Sequence, residues 1–312
     1  MIAKLLGATM RRPRHHTLIF HRVMRERDPM SPGEPTAEWF RSLIAMLARN
    51  FEIIPLADAV NKARDGRLSG RTISITFDDG YADNCTVALP ILEEFQAPAT
   101  FFIASGFLDG GRMWNDSLIE AVRRLPEGRY EVDDDEVPDI EVSDWDSRRA
   151  AANSLIKAWK HLSPDIRQRK VDGFVGQLSG LPDDLMMSSG QLAAMAASPV
   201  ATIGGHTVSH PILASLPADE ARNEIESGKA AVEDKIQREL RLFAYPNGKL
   251  GNDYRTEHAA LVREAGFDAA VATDWGTMDA QTDAFAIPRF TPWQTDLTRF
   301  SIDLWRCHYG LI

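Results

Sequence analysis

Short apolar runs that end in polar or glycine-rich residues alternate with longer stretches whose apolar residues recur every three or four positions. The runs at 16–23 (HTLIFHRV), 51–56 (FEIIPL), 71–77 (RTISITF) and 99–105 (ATFFIAS) predict buried strands. Between them, Trp39, Phe40, Leu43, Ile44 and Leu47 share helical spacing. Residues 57–64 predict a short helix ended by Asp65 and Gly66, and residues 86–95 an amphipathic one. Strand, helix, strand in this order predicts parallel strands joined by right-handed crossovers. The alternation resumes as strand, helix, strand, helix, strand at 201–204, 218–237, 240–246, 255–265 and 269–273, with AIPRF (286–290) as a last strand or its end. Between 110 and 198 the pattern changes. Residues 127–146 (EGRYEVDDDEVPDIEVSDWD) are strongly acidic with some alternation, which predicts a hairpin or a solvated excursion. Residues 147–162 and 164–178 predict helices, the second opening with Ser163 and Pro164 in cap and first-turn positions. The expectation is a single domain over 1–312, with an insertion at about 110–198 that caps one end of the barrel or sheet.

Composition narrows this picture. A chain of 312 residues with 44% hydrophobic content fits one large α/β domain or two modest ones. The net charge of −10 argues against a nucleic-acid partner. The two cysteines, Cys85 and Cys307, make no disulfide framework and point to a reducing compartment, although pairing between them stays open. No apolar run approaches the roughly 18 residues that span a bilayer. The start, MIAKLLGATMRRPRHH, lacks the apolar core and cleavage site of a secretory signal, so a cytoplasmic protein without stable membrane insertion is expected. The oligomeric state is left open.

Candidate chemistry sits at two strand ends. ISITFDDGYADN (73–84) places Asp78 and Asp79 side by side after a β-branched run. Either this is a turn, or a cation or a shared proton offsets the repulsion. GGHTVSHP (204–211) puts His206 and His210 four apart, on one face of a helical turn, which is ligand spacing for a transition metal. With eight histidines in the chain, that spacing alone is weak evidence. Thr207, Val208 and Ser209 lie between them, so a general base must come from another strand. Two imidazoles and one carboxylate make a three-ligand site with open positions, and a dication lets one Asp ligate while the other accepts a proton.

TFDDG (76–80) together with HTVSH (206–210) resembles the first two motifs of the polysaccharide deacetylases, the NodB-homology carbohydrate esterases. LFAYPNG (242–248) is similar to the third motif in a Tyr-Pro form, and the resemblance runs from about residue 18 to 290. It implies an α/β fold, a distorted (β/α) barrel of about seven parallel strands. It implies that Asp79, His206 and His210 bind a divalent metal, with zinc expected first and cobalt, nickel or ferrous iron also suited. Asp78 is then the general base, and the backbone N–H of Tyr245 completes an oxyanion site. Gly80 permits close backbone approach and Pro246 holds the strand end; each also suits plain turn chemistry.

The chain departs from the family pattern in two places. Leu242, Phe243 and Ala244 stand where many members carry an arginine that tethers the catalytic aspartate, and a late Leu-x-His motif is absent. His308 lies where the chain is expected to leave the fold. IFHRV (19–23) resembles the Tyr-His motif of a permuted branch, which implies that His21 protonates the leaving amine; the alternative is a core-facing histidine. Arg289 is the candidate tether for Asp78, against an ordinary surface ion pair. Asn247 and Asn252 are candidates for sugar hydroxyls or plain turns, and Trp114, Trp275 and Trp293 for stacking on pyranose rings or covering the core. His15, His16, His161 and His258 receive no role.

The expected function is metal-dependent hydrolysis of N-acetyl groups from an amino-sugar glycan or glycan precursor, in exopolysaccharide or lipid-linked saccharide biosynthesis. One alternative is an amidohydrolase acting on a small amide with the same metal site, the 110–198 segment closing over it as a lid. The other is a glycan-binding protein that has lost catalysis.

Overall fold

Strand β3 (Thr72–Phe77) is buried along its whole length, so both faces meet protein. Ile73, Ile75 and Phe77 join Phe40, Leu43, Ile44 and Leu47 of helix α1 (Ala37–Asn50) in the main core. Thr72, Ser74 and Thr76 alternate to the other face, where their hydroxyls donate to the carbonyls of Ser69, Ile54 and Leu18. Polar side chains are tolerated there because each is satisfied locally.

The computed structural model describes residues 7–134, 137–176, 178–292 and 296–312. β1 (His15–Phe20) runs parallel beside β3, with Phe20 opposite Phe77, and β2 (Glu52–Ile53) pairs with the start of β3. On the other side follow β4 (Ala99–Ile103), β7 (Ala201–Gly205), β8 (Leu242–Ala244) and β9 (Ala269–Val271), giving a parallel seven-stranded sheet. The sheet curls until its edges meet through one stretch of chain. Ile287 bridges Val271, and Phe290 bridges Leu18, both in parallel sense. Phe290 N–H donates to Thr17 at 2.8 Å and Ile19 N–H donates to Phe290 at 3.1 Å. This closing stretch is the predicted AIPRF element; Pro288 has no N–H for a ladder, which keeps it from forming a regular strand.

Helices α2 (Leu56–Arg64), α3 (Leu89–Glu94), α7 (Ser189–Ala197), α8 (Ala218–Ile236) and α9 (Thr256–Glu264) accompany the strands. The helix expected at 86–95 opens instead with a π-turn, Asn84–Ala88. Pro90 cannot return a hydrogen bond to the Thr86 carbonyl, which favours the wider turn. Helix α10 (Leu297–Tyr309) was not foreseen; it buries Phe300, Leu304, Cys307 and His308. His308 therefore does not leave the fold. Its Nδ1 meets His16 Nε2 at 3.2 Å, five residues along β1 from His21, about 17 Å away for an extended chain.

The 110–198 segment contains α4 (Trp114–Arg124), an antiparallel pair β5 (Gly128–Tyr130) and β6 (Ile140–Val142), α5 (Trp145–Trp159) and α6 (Pro164–Val175). The acidic stretch is thus a hairpin. Leu118, Val122, Ile140, Val142, Leu155, Trp159 and Val171 form their own apolar cluster, tied to Met30 of the loop after β1. Helices α4 and α7 were not read from the sequence, and α7 returns Leu192 and Met195 to the main core. Cys85 and Cys307 are both free thiols. Among the described residues, no helix is long and apolar enough to cross a membrane.

Candidate active site

The parallel strands end together, and their ends carry the candidate chemistry. Directly after β3, Asp79 adopts φ +77° and Gly80 φ +91°. Two consecutive left-handed residues turn the chain so sharply that the neighbouring carboxylates face different partners, and a non-glycine residue in this region is held there by its surroundings. Asp78 receives both arms of Arg289, Nη1 to Oδ1 and Nη2 to Oδ2, each at 2.7 Å. Arg289 is fully buried inside the barrel; it also donates to the Ala272 carbonyl and to Thr76 Oγ1. Burial pushes the Asp78 carboxyl up, but the Arg289 charge and hydrogen bonds, with His206 and His21, outweigh it and hold the group below the usual carboxylate range.

Asp79 turns the other way. Its Oδ1 lies 3.3 Å from His206 Nε2 and 3.4 Å from His210 Nε2. These are ion-pair approaches rather than aligned hydrogen bonds, and Asp79 Oδ1 has no hydrogen-bond donor among the described residues. The three ligand atoms lie within 4.8 Å of one another. Ligand-to-cation distances of about 2.0–2.1 Å in a tetrahedral zinc site imply edges of about 3.3–3.4 Å. An orphaned, buried carboxylate oxygen at that spacing from two imidazoles fits a metal. His206 Nδ1 lies 2.7 Å from the Ala244 carbonyl, which leaves Nε2 as the ligand nitrogen. Burial lowers the His210 pKa to about 4. Burial also works against charge on His206, yet Asp79 and Asp78 raise its pKa overall.

The two histidines do not share a helical turn, as their spacing had suggested. They flank a loop in which Thr207 and His210 have φ +65° and +55°, with the rings edge to face at 4.7 Å. Glu224 of α8 fixes this loop, accepting from Val208 N–H and Ser209 N–H at 2.9 Å and from Ser209 Oγ at 2.7 Å.

His21 follows β1 directly, and the Phe20–Phe77 register sets it beside Asp78. It is half-buried and lines the same cavity as Asp78, Asp79, His206 and His210. Its carbonyl accepts from Asn84 Nδ2 at 2.8 Å, and Asp83 holds the next two residues through Arg22 Nε (2.8 Å) and Val23 N–H (3.1 Å). The cavity, of about 730 Å³, is also lined by Trp114, Asn247 and Trp275. Trp275 is 43% exposed.

Other candidates fall elsewhere. Tyr245 N–H donates to the Val271 carbonyl at 3.2 Å, so a sheet hydrogen bond consumes the expected oxyanion donor. Its ring stacks on Tyr254 at 3.7 Å and its hydroxyl donates to Phe285, which makes Tyr245 a core residue. Neither Tyr245 nor Pro246 lines the cavity; the Pro246 carbonyl accepts from Gly248 N–H in a turn. Asn247, at φ +59°, does reach the cavity, and its N–H has no partner among the described residues. Asn252 N–H bonds the Lys249 carbonyl in a turn away from the cavity lining, and Trp293 lies outside the described residues. Sequence reading missed Asp83, Asn84 and Glu224, which act on the backbone and side chains of neighbouring loops and have no motif of their own.

The family model described as polysaccharide deacetylase matches residues 65–133 and 167–270. The chain belongs to this family. Both aspartates and both histidines lie within the match, whereas His21 and Arg289 lie outside it. Among solved structures, the chain is similar to the Streptococcus pyogenes deacetylase PplD in complex with acetate, at 15% identity and TM-score 0.58, covering 89% of this chain and 92% of that one. IcaB from Ammonifex degensii aligns at 18% identity and TM-score 0.58, over 92% and 97% of the two chains. A de-N-acetylase from Aggregatibacter actinomycetemcomitans aligns at 16% and 0.56, over 92% and 99%. At such identities the likeness is one of fold. No curated protein sequence matches the chain.

Proposed function

We propose that this polysaccharide deacetylase removes N-acetyl groups from an amino sugar in a glycan or glycan precursor, in a metal-dependent hydrolysis. The observation that carries the reading is the division of labour after β3: Asp79 Oδ1 faces two imidazole nitrogens, while Asp78 turns to a buried arginine. Asp79, His206 and His210 hold the metal, zinc first by the nitrogen and oxygen donor set. The bound cation supplies Lewis acidity toward the acetyl carbonyl and toward water. Asp78, ionised at neutral pH, takes the proton of the attacking water, and Arg289 fixes its orientation. His21, across from Asp78 just after β1, donates a proton to the leaving amine. The N–H of Asn247 serves the developing oxyanion in place of that of Tyr245.

The exposed Trp275 on the cavity wall supports a pyranose substrate over a small amide in a sealed pocket. The de-N-acetylase among the similar folds supports the same bond being cut. One unit over 1–312, its 110–198 segment forming a wall of the site, accords with Trp114 lining the cavity beside the barrel residues.

The test is acetate release from N-acetylglucosamine oligomers by the zinc- or cobalt-loaded protein. Asp78→Asn should lose about 10²–10⁴-fold in rate while retaining metal, and His206→Ala should lose metal as well. Activity of Asp78→Asn equal to the parent overturns the base assignment. Sugar binding without acetate release at saturating metal points to a binding protein instead.

A further inference from the structure

The cavity has two chemically different walls. The barrel supplies Asp78, Asp79, His206 and His210; the insertion supplies Lys160, at the end of α5, and Arg167 of α6. Arg167 is only 8% exposed. Its guanidinium lies 4.8 Å from the centroid of the Trp114 ring and, among the described residues, gives one hydrogen bond, Nη1 to the Lys160 carbonyl at 3.3 Å. A guanidinium carries five N–H donors, so most of them are unspent.

Among the described residues no carboxylate pairs with Arg167, and burial alone pulls its pKa down. Three other cations of the cavity have partners: Arg22 has Asp83, Arg123 has Asp28 and Glu120, and Lys249 has Asp274 at 4.0 Å. The acidic groups of α4 are also engaged. Glu120 pairs with Arg123 and Arg124, and Asp116 accepts from the Tyr81 hydroxyl. Lys160, half-buried on the same wall, has no acidic partner among the described residues either.

Burying a cation without a counter-charge is unfavourable, and a chain with net charge −10 has no shortage of carboxylates to supply one. We propose that Arg167 and Lys160 form a subsite for an oxyanion, a phosphate ester or a carboxylate, carried by the saccharide whose acetyl group faces the barrel wall. A guanidinium held over an indole face keeps N–H donors free as a fork, which matches either oxyanion, and the ammonium adds a point charge. The proposal rests on the deacetylase reading for the identity of the carrier as a saccharide.

The test is calorimetric titration of metal-free protein, so that no anion binds through a metal. The probes are N-acetylglucosamine 1-phosphate, glucuronic acid and neutral N-acetylglucosamine. At least one charged probe should bind about a hundredfold or more tighter than the neutral sugar. That preference should fall about ten- to a hundredfold in Arg167→Gln and about tenfold in Lys160→Gln. Preference for the phosphate alone assigns a phosphate ester, for the glucuronate alone a uronic acid, and for both the shared chemistry. Equal binding of charged and neutral probes, or a preference unchanged in the variants, overturns the subsite and leaves Arg167 as a prop stacked on Trp114. A melting curve checks that Arg167→Gln folds; if it does not, Lys160→Gln decides. Acetate release by the metal-loaded protein is measured separately. Release without any charge preference refutes the subsite alone. An Arg167-dependent preference without release from neutral or charged substrates refutes the deacetylase reading alone.

Discussion

Asp78 and Arg289 form a bidentate pair at 2.7 Å with side chains 3% and 0% exposed, so neither group has water to fall back on. Removing the arginine leaves a buried carboxylate uncompensated, an effect of about 3–5 kcal/mol. Arg289→Gln should therefore lower unfolding stability by that amount in denaturant titrations. It should also raise the Asp78 pKa, because burial is then unopposed, and a base must be ionised to act. The acidic limb of kcat/KM against pH should move to higher pH; an unmoved limb dissociates Arg289 from the base. Asp116 makes the opposite case. Burial, with Asp79 and Glu120 nearby, raises its pKa to about 7, against the pull of Arg22 and the Tyr81 hydroxyl. Its folded pKa lies above the unfolded value of about 3.9, so the favourable contribution is full below about pH 4 and is lost as pH rises through 7. In metal-free protein Asp116→Asn should remove that loss, and its melting temperature should exceed the parent's by more at pH 8 than at pH 5. The consecutive aspartates were visible because their chemistry is compressed into five residues. The partner of Asp78 stands 211 positions away, so no local pattern separates a buried tether at Arg289 from an ordinary surface ion pair.

The loop carrying His206 and His210 illustrates how an element constrains its ligands. It is clamped by Glu224 and backed by Gly228 of α8, where an added Cβ would come within 2.6 Å of the Thr207 backbone. Outer groups that orient metal ligands typically account for 10–100-fold in affinity. Glu224→Ala should weaken zinc binding about that much, read by competition with a chelating dye, with the ligands themselves intact. Unchanged affinity shows that the loop holds its shape without the clamp. The i,i+4 spacing was legible, but its helical interpretation was not correct, because left-handed Thr207 and His210 bring the rings together by another route. Helix α4 is not marked by its sequence because its stripe of Leu118 and Val122 is short and faces the insertion's own cluster rather than the barrel.

Closure of the barrel joins these pieces. Phe290 hydrogen-bonds into β1 and packs edge to face on Phe300 of α10 at 5.9 Å, so the terminal helix supports the seam. Phe300 is fully buried in the main core. Phe300→Ala should reduce stability by about 3–5 kcal/mol in urea titration, while kcat per folded molecule stays within about twofold at low temperature. A large drop in kcat with stability intact shows that the seam shapes the site directly. Local patterning was enough to reveal the strand and helix alternation and the two polar clusters at strand ends, because burial with period two or 3.6 marks each element within its own residues, whereas it left the acidic stretch between a hairpin and a solvated excursion. Which strand lies beside which leaves no such mark. The nearness of His21 to Asp78, the reach of Arg289 through the interior, the use of the Tyr245 N–H in the sheet and the placing of Lys160 and Arg167 of the insertion on the cavity wall all follow from long-range pairing. Short-range periodicity does not encode that pairing.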